Sequence, residues 1–190
     1  MKAGLRERKK MATRQALHEA AVSLSIEHGL DRVTVEAIAD AAEVSRRTFS
    51  NYFTSKEEAL LYGDELRIRM LVDAVRERPA AEAPWAALTG AAVDLERRLG
   101  ARDPRWVTQV RLVRRHPALA AQQVSTYASM EDEITAEIAA RSCAPVRARL
   151  MAAAFLVAMR VAVQEWLDRP PGTPLADVMR ECLAEMGAAF

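Results

Sequence analysis

Between Thr34 and Leu60 the chain places Ile38, Ala39 and Ala42 at helical spacing, follows them with Val44, and then repeats Phe49 and Phe53 four residues apart. This spacing predicts two short amphipathic helices joined by a tight turn, each burying one face. The face opposite the two phenylalanines carries Arg46, Arg47, Ser50 and Asn51. All four can donate hydrogen bonds to base edges and phosphates. A further helix opens on Ser55-Lys56-Glu57. An apolar underside beneath a donor-rich outer helix is a DNA-reading pattern.

The charge distribution agrees with that pattern although the total does not. Net charge is only +1. Residues 1–56 hold ten Lys or Arg against seven Asp or Glu, whereas the remaining 134 hold 17 against 19. Within the first 14 residues, Lys2, Arg6, Arg8, Lys9, Lys10 and Arg14 face only Glu7. Such an arm can neutralise phosphates and release their counterions.

Around these residues the chain resembles the TetR family of bacterial transcriptional regulators. The resemblance runs from about Arg14 to Leu60. It takes in Leu17, Ala20, Ala21, Leu24 and Gly29, then Thr34, then Val44-Ser45-x-x-Thr48 and Tyr52-Phe53-x-Ser55-Lys56-Glu57. Residues 61–190 match that family only in length and helical texture. The resemblance implies an all-α fold: an N-terminal three-helix helix-turn-helix DNA-binding domain over residues 1–56, and a helical ligand-sensing and dimerisation domain over 57–190.

Proline and glycine punctuate a helical text. About nine helices are expected: Arg6 to His28, Val35 to Ala42, Arg46 to Tyr52, Ser55 to Arg78, Trp85 to Leu99, Pro104 to Arg115, Ala118 to Arg141, Pro145 to Asp168 and Pro174 to Ala188. Thr34 and Ser45 are placed as N-caps, Ser55 and Glu58 as a capping box, and Gly29 as a left-handed cap. Proline at the first position of several segments suits helix starts, because its missing N–H has no partner there anyway.

In a helix-turn-helix the second helix enters the major groove. Arg46 and Arg47 begin that helix, and a bidentate Arg–guanine contact contributes about 1–3 kcal/mol of discrimination. Thr48 offers a methyl to thymine or a hydroxyl to phosphate, and Asn51 can pair with adenine. By resemblance Thr34, Tyr52 and Lys56 hold flanking phosphates, so the expected DNA set is Arg14, Thr34, Ser45, Arg46, Arg47, Thr48, Ser50, Asn51, Tyr52 and Lys56. Two positions depart from the family pattern. The residue before Val44, commonly glycine, is Glu43, and the residue before Thr48, also commonly glycine, is Arg47.

The segment 145–168 reads as apolar nearly all round. Val146, Leu150, Ala153, Val157 and Val161 form one face, and Met151, Phe155, Met159, Ala162 and Trp166 another. The last helix repeats the theme with Leu175, Val178, Met179, Cys182, Leu183 and Met186. By resemblance these two helices pair with a second copy into a four-helix bundle, giving a homodimer. Trp85, Leu88, Trp106, Val110, Tyr127, Met130, Phe155 and Met159 are candidates to line an effector pocket or to fill a core. Few buried charges are evident, which favours an apolar or weakly polar effector. A protein-recruiting adaptor that senses no ligand is the other reading. Arg111, Arg114, Arg115 and His116 form a basic cluster, read here as a solvated face.

Other classes find little support. His18-Glu19 begins a zinc-protease pattern, but position 22 is Val, and the chain has three histidines. No Gly-x-Ser-x-Gly, phosphate loop or Cys-x-x-Cys occurs, so no enzyme, cofactor or metal is expected. Cys143 and Cys182 are expected as thiols in a reducing compartment. Without a long apolar run or a signal core, the expected location is the cytoplasm, at the nucleoid, with no membrane partner.

Overall fold

The computed structural model describes residues 2–100, 104–141 and 143–188. They form α1 (Lys2–His28), a 3-10 turn (Leu30–Arg32), α2 (Val35–Ala41), α3 (Arg46–Ser50), α4 (Lys56–Arg76), α5 (Pro84–Leu99), α6 (Pro104–Arg115), α7 (Pro117–Ala139), α8 (Pro145–Asp168) and α9 (Leu175–Gly187). The all-α expectation holds, with no strand among the described residues. Proline begins α5, α6, α7 and α8, where its fixed φ is already helical. No helix of the described residues is long and apolar enough to cross a membrane.

Several ends differ from expectation for local reasons. α1 reaches back through the basic arm to Lys2. α3 closes at Ser50 rather than Tyr52, because the N–H groups of Asn51 and Tyr52 bond three residues back, to Thr48 O at 3.1 Å and Phe49 O at 2.8 Å. Gly29 has positive φ but not the left-handed helical turn expected of it: φ 81 with ψ 143 is an extended, positive-φ conformation open essentially to glycine. At α4 the Glu58 N–H donates to Ser55 Oγ, but the Glu58 carboxylate reaches one residue further back, accepting from Thr54 N–H at 2.7 Å and Thr54 Oγ1 at 2.6 Å. The box is therefore shared between two residues.

The chain forms two compact units. One comprises Met1–Glu65 with Asp103–Gln123, the other Leu66–Arg102 with Val124–Phe190. In the first, Leu17, Ile38, Phe49, Phe53, Leu60 and Leu119 are fully buried. Each contributes about 1.5–3 kcal/mol on leaving water. Two buried polar side chains are matched: His18 Nδ1 donates to Ala59 O at 2.9 Å and Gln109 Nε2 donates to Leu60 O at 2.8 Å.

In the second unit α9 packs on α8 and α5. Trp85 Nε1 donates to Leu183 O at 3.1 Å, and its ring meets Phe155 edge-on at 6.4 Å. Arg141 donates to the carbonyls of Val75, Arg78 and Pro79, tying the end of α7 to the end of α4 and the turn that follows it. α8 is buried on one face only. Met151, Phe155 and Ala162 are buried, whereas Val146, Leu150 and Val157 are 75%, 57% and 42% exposed. One side of the helix is thus covered by the chain's own core and the other is left exposed.

Candidate nucleic-acid interface

The turn between α2 and α3 is built from backbone bonds. Val44 N–H donates to Ala39 O at 2.9 Å and Glu43 N–H to Asp40 O at 3.0 Å. This is the Schellman pattern of helix termination, which requires a left-handed residue just past the cap. Glu43 fills that position with φ 54, the non-glycine among the described residues with positive φ. A side chain there costs roughly 1–2 kcal/mol.

Both short helices are capped as the sequence predicts. Ala37 N–H donates to Thr34 Oγ1 at 3.1 Å, and Thr48 N–H to Ser45 Oγ at 3.0 Å. The Ser45 and Thr48 hydroxyls also bond each other at 2.9 Å. Phe49 and Phe53 are buried with ring centroids 5.8 Å apart, fixing the inner face of α3. The outer face then carries the exposed residues Arg46, Arg47, Ser50 and Asn51, with Thr48 and Tyr52 half-buried beside them.

These side chains are not equivalent. Arg46 Nη1 lies 3.1 Å from the Glu36 carboxylate, so α2 holds it in place. Arg47 has no hydrogen bond or ion pair among the described residues and leaves its whole fork available. Ser50 Oγ donates back to Arg46 O at 3.2 Å.

Two expected phosphate contacts are committed elsewhere. Lys56 Nζ donates to Leu30 O at 2.8 Å and Val33 O at 2.9 Å, tying the start of α4 to the 3-10 turn. Two of its three donors are thereby spent inside the protein. The Arg14 guanidinium sits over the rings of Tyr62 and Phe53, 4.5 and 5.1 Å from their centroids, with Glu65 3.7 Å away. Arg14 thus clamps α1 to α4, and a cation–π contact of this kind contributes about 0.5–2 kcal/mol. Glu36 was missed by sequence reasoning. Its only signal is an acidic residue in the first turn of α2, which reads equally well as a dipole partner.

The eight effector candidates divide between the units: Trp106 and Val110 belong to the first, the other six to the second. Leu88, Met130 and Phe155 are buried, and Trp85, Tyr127 and Met159 are half-buried. The second unit also holds a buried charge that sequence reading did not foresee. Glu96 is 4% exposed, with Arg67 Nη1 3.6 Å from its carboxylate. A cleft of about 330 Å³ is lined by Ala74, Glu77, Arg78, Pro79, Ala91, Asp94 and Arg98, none of them a candidate.

At its edge Arg78 donates to Glu82 at 2.7 Å and to Asp94 at 2.9 Å. The hydrogen bond from Arg78 holds the Glu82 carboxyl below the usual carboxylate range. Cys143 and Cys182 are both free thiols, as expected. Burial pushes the Cys182 thiol up, and the nearby Glu165 and Glu181 carboxylates push it further.

Residues 17–62 match the model of bacterial regulatory proteins of the tetR family, and residues 82–190 that of the MftR C-terminal domain. Over 176 residues the chain is 35% identical to the HTH-type transcriptional regulator TcmR of Streptomyces glaucescens, covering 87% of this chain and 78% of that protein. The chain belongs to the TetR family. Among solved structures it is similar to Thermus thermophilus FadR, a TetR-family repressor in complex with lauroyl-CoA. That match has TM-score 0.62 and 22% identity, over 91% of this chain and 92% of that one. It is also similar to SmeT of Stenotrophomonas maltophilia in complex with triclosan, with TM-score 0.65 and 18% identity, over 94% and 91%. At those identities the likeness concerns the fold. As a TetR-family member the protein is a DNA-binding transcriptional regulator and not an enzyme.

Proposed function

We propose that this TetR-family regulator acts in the cytoplasm as a repressor, binding a palindromic operator as a homodimer and leaving it when a small apolar or weakly polar effector binds. The observation that carries the reading is the N-capped α3, which turns the exposed Arg47 and Asn51 outward from a rigid aromatic base. Arg47 is the guanine-reading residue in this scheme, and Arg46, steadied by Glu36, flanks it. Thr34 and Tyr52 take phosphates.

The exposed apolar stripe of Val146, Leu150 and Val157 supports pairing through α8 and α9. A two-fold dimer reads two half-sites about one helical turn apart. The lauroyl-CoA and triclosan complexes of similarly folded proteins support a small-molecule effector held by the second unit. α4 runs unbroken from Lys56 to Arg76, and its tilt on effector binding would spoil the half-site spacing. The effector moves this equilibrium only by its differential affinity for the two states.

Footprinting on DNA flanking the protein's own gene, repeated across a metabolite panel, tests the scheme. A two-fold symmetric protected site released by one metabolite is expected. Absence of any protected site overturns the operator reading. Protection that every metabolite leaves intact overturns the effector reading and favours an adaptor.

A further inference from the structure

We propose that Glu36 is a specificity-determining residue of the DNA interface: Glu36 and Arg46 act as one couple that reads a single G·C base pair. The inference rests on the operator reading above and names a base pair that each half-site must contain.

The first observation is placement. Thr34 caps α2 through the Ala37 N–H, and Ile38 and Ala39 are buried, so the first turn of α2 is held against the core. Arg46 opens α3, whose own first turn is fixed by the Ser45 cap and the buried Phe49. Arg46 Nη1 lies 3.1 Å from Glu36 Oε1. In a helix-turn-helix the N-terminal residues of the second helix meet base edges, while the first helix crosses the backbone. Its contact with Arg46 therefore puts the Glu36 carboxylate at the reading end of α3.

The second observation is that folding does not account for the pair. The Arg46 and Glu36 side chains are 73% and 54% exposed. A pair this well solvated contributes little to stability. A lone carboxylate at this place would be repelled by phosphates. Joined to Arg46 it forms a neutral couple, which adds selection rather than general attraction to a polyanion.

The third observation is the match of donors and acceptors. With Nη1 turned to Glu36, the Nε and Nη2 edge of Arg46 keeps two parallel N–H groups for guanine O6 and N7. An ionised carboxylate only accepts. Cytosine N4 is a donor with no acceptor beside it, whereas adenine N6 is flanked by the acceptor N7, and guanine and thymine present acceptors. Across a G·C pair the groove edge runs acceptor, acceptor, donor. The couple offers donor, donor, acceptor.

The test is selection from a randomised duplex pool, followed by affinities on duplexes carrying each base pair at every half-site position, at several salt concentrations. Wild type should require G·C at one position that Arg46→Gln relaxes. Glu36→Gln should cut discrimination at that same position by about tenfold, the size of one good base contact. It should also tighten binding to scrambled duplex and steepen its log–log salt dependence by up to about 0.9, because Arg46 is released to take a phosphate. Glu36→Gln/Arg46→Gln should discriminate there no worse than Arg46→Gln alone. Arg47→Gln should relax a different position. As a mere partner of the α2 dipole, Glu36 would give a Gln variant with a lower melting temperature and the base preferences of wild type. That result overturns the proposal, as do losses that simply add in the double variant. In either case a wild type that still prefers its site leaves the operator reading standing. A wild type with no sequence preference sinks the operator reading and this inference with it.

Discussion

Glu43 holds the left-handed position in the turn that sets the angle between α2 and α3, with φ 54. Glycine would relieve roughly 1–2 kcal/mol of strain there. It would return about 0.5–1 kcal/mol to the unfolded chain as freedom. Glu43→Gly is therefore expected to stabilise the protein by about 0.5–1 kcal/mol, read as a higher urea midpoint at unchanged slope. A lower midpoint would show that the Glu43 side chain makes up for its backbone. At this scale the caps Thr34 and Ser45 were legible, because capping is local and spans three residues. The roles of Lys56 and Arg14 were not. Their acceptors and ring partners, Leu30, Val33, Phe53 and Tyr62, come from other segments of the chain.

Helices carry two further expectations. Arg78, just beyond α4, clamps Glu82 and depresses its carboxyl, so the charged form is favoured in the folded state. That contribution is present above the ordinary carboxylate range and is lost as pH falls through the depressed folded value. Glu82→Gln should lose less stability than wild type between neutral pH and about pH 3. The gap should be about 1 kcal/mol or less, because the pair remains partly solvated. Denaturant melts at a series of acidic pH values decide it, and parallel curves would refute the pairing. On α8, Leu150→Glu puts a charge in the exposed apolar stripe. It is expected to weaken self-association by about 100-fold, or near 3 kcal/mol, in sedimentation equilibrium. An unchanged dimer would place the interface elsewhere. The two apolar faces of α8 were visible in the 3.6-residue period, but which one the chain covers itself was not.

For the whole molecule, the reading head does not end where its sequence signature ends. The compact unit that holds α1, α2 and α3 also takes residues from 103 to 123, including the buried Gln109, Val113 and Leu119. Each buried apolar side chain among them contributes about 1.5–3 kcal/mol, a large share of a domain stability of about 5–15 kcal/mol. A fragment of residues 1–65 should therefore melt without a sharp transition in circular dichroism, whereas the full chain melts cooperatively. A cooperative melt of the fragment at the same temperature would make residues 103–123 dispensable.

The amino-acid order alone determined the nine α-helices of the described residues, the proline starts, the two caps of the helix-turn-helix and the donor-rich face of α3. All of these follow from periodicity and from bonds spanning three or four residues. Only the folded chain decided that Glu36 steadies Arg46, that Lys56 and Arg14 point inward, that Glu96 is buried beside Arg67, and that α6 joins the reading head. Each of these depends on contacts between residues ten or more positions apart. Their partners are chosen by packing, and packing leaves no mark in local sequence.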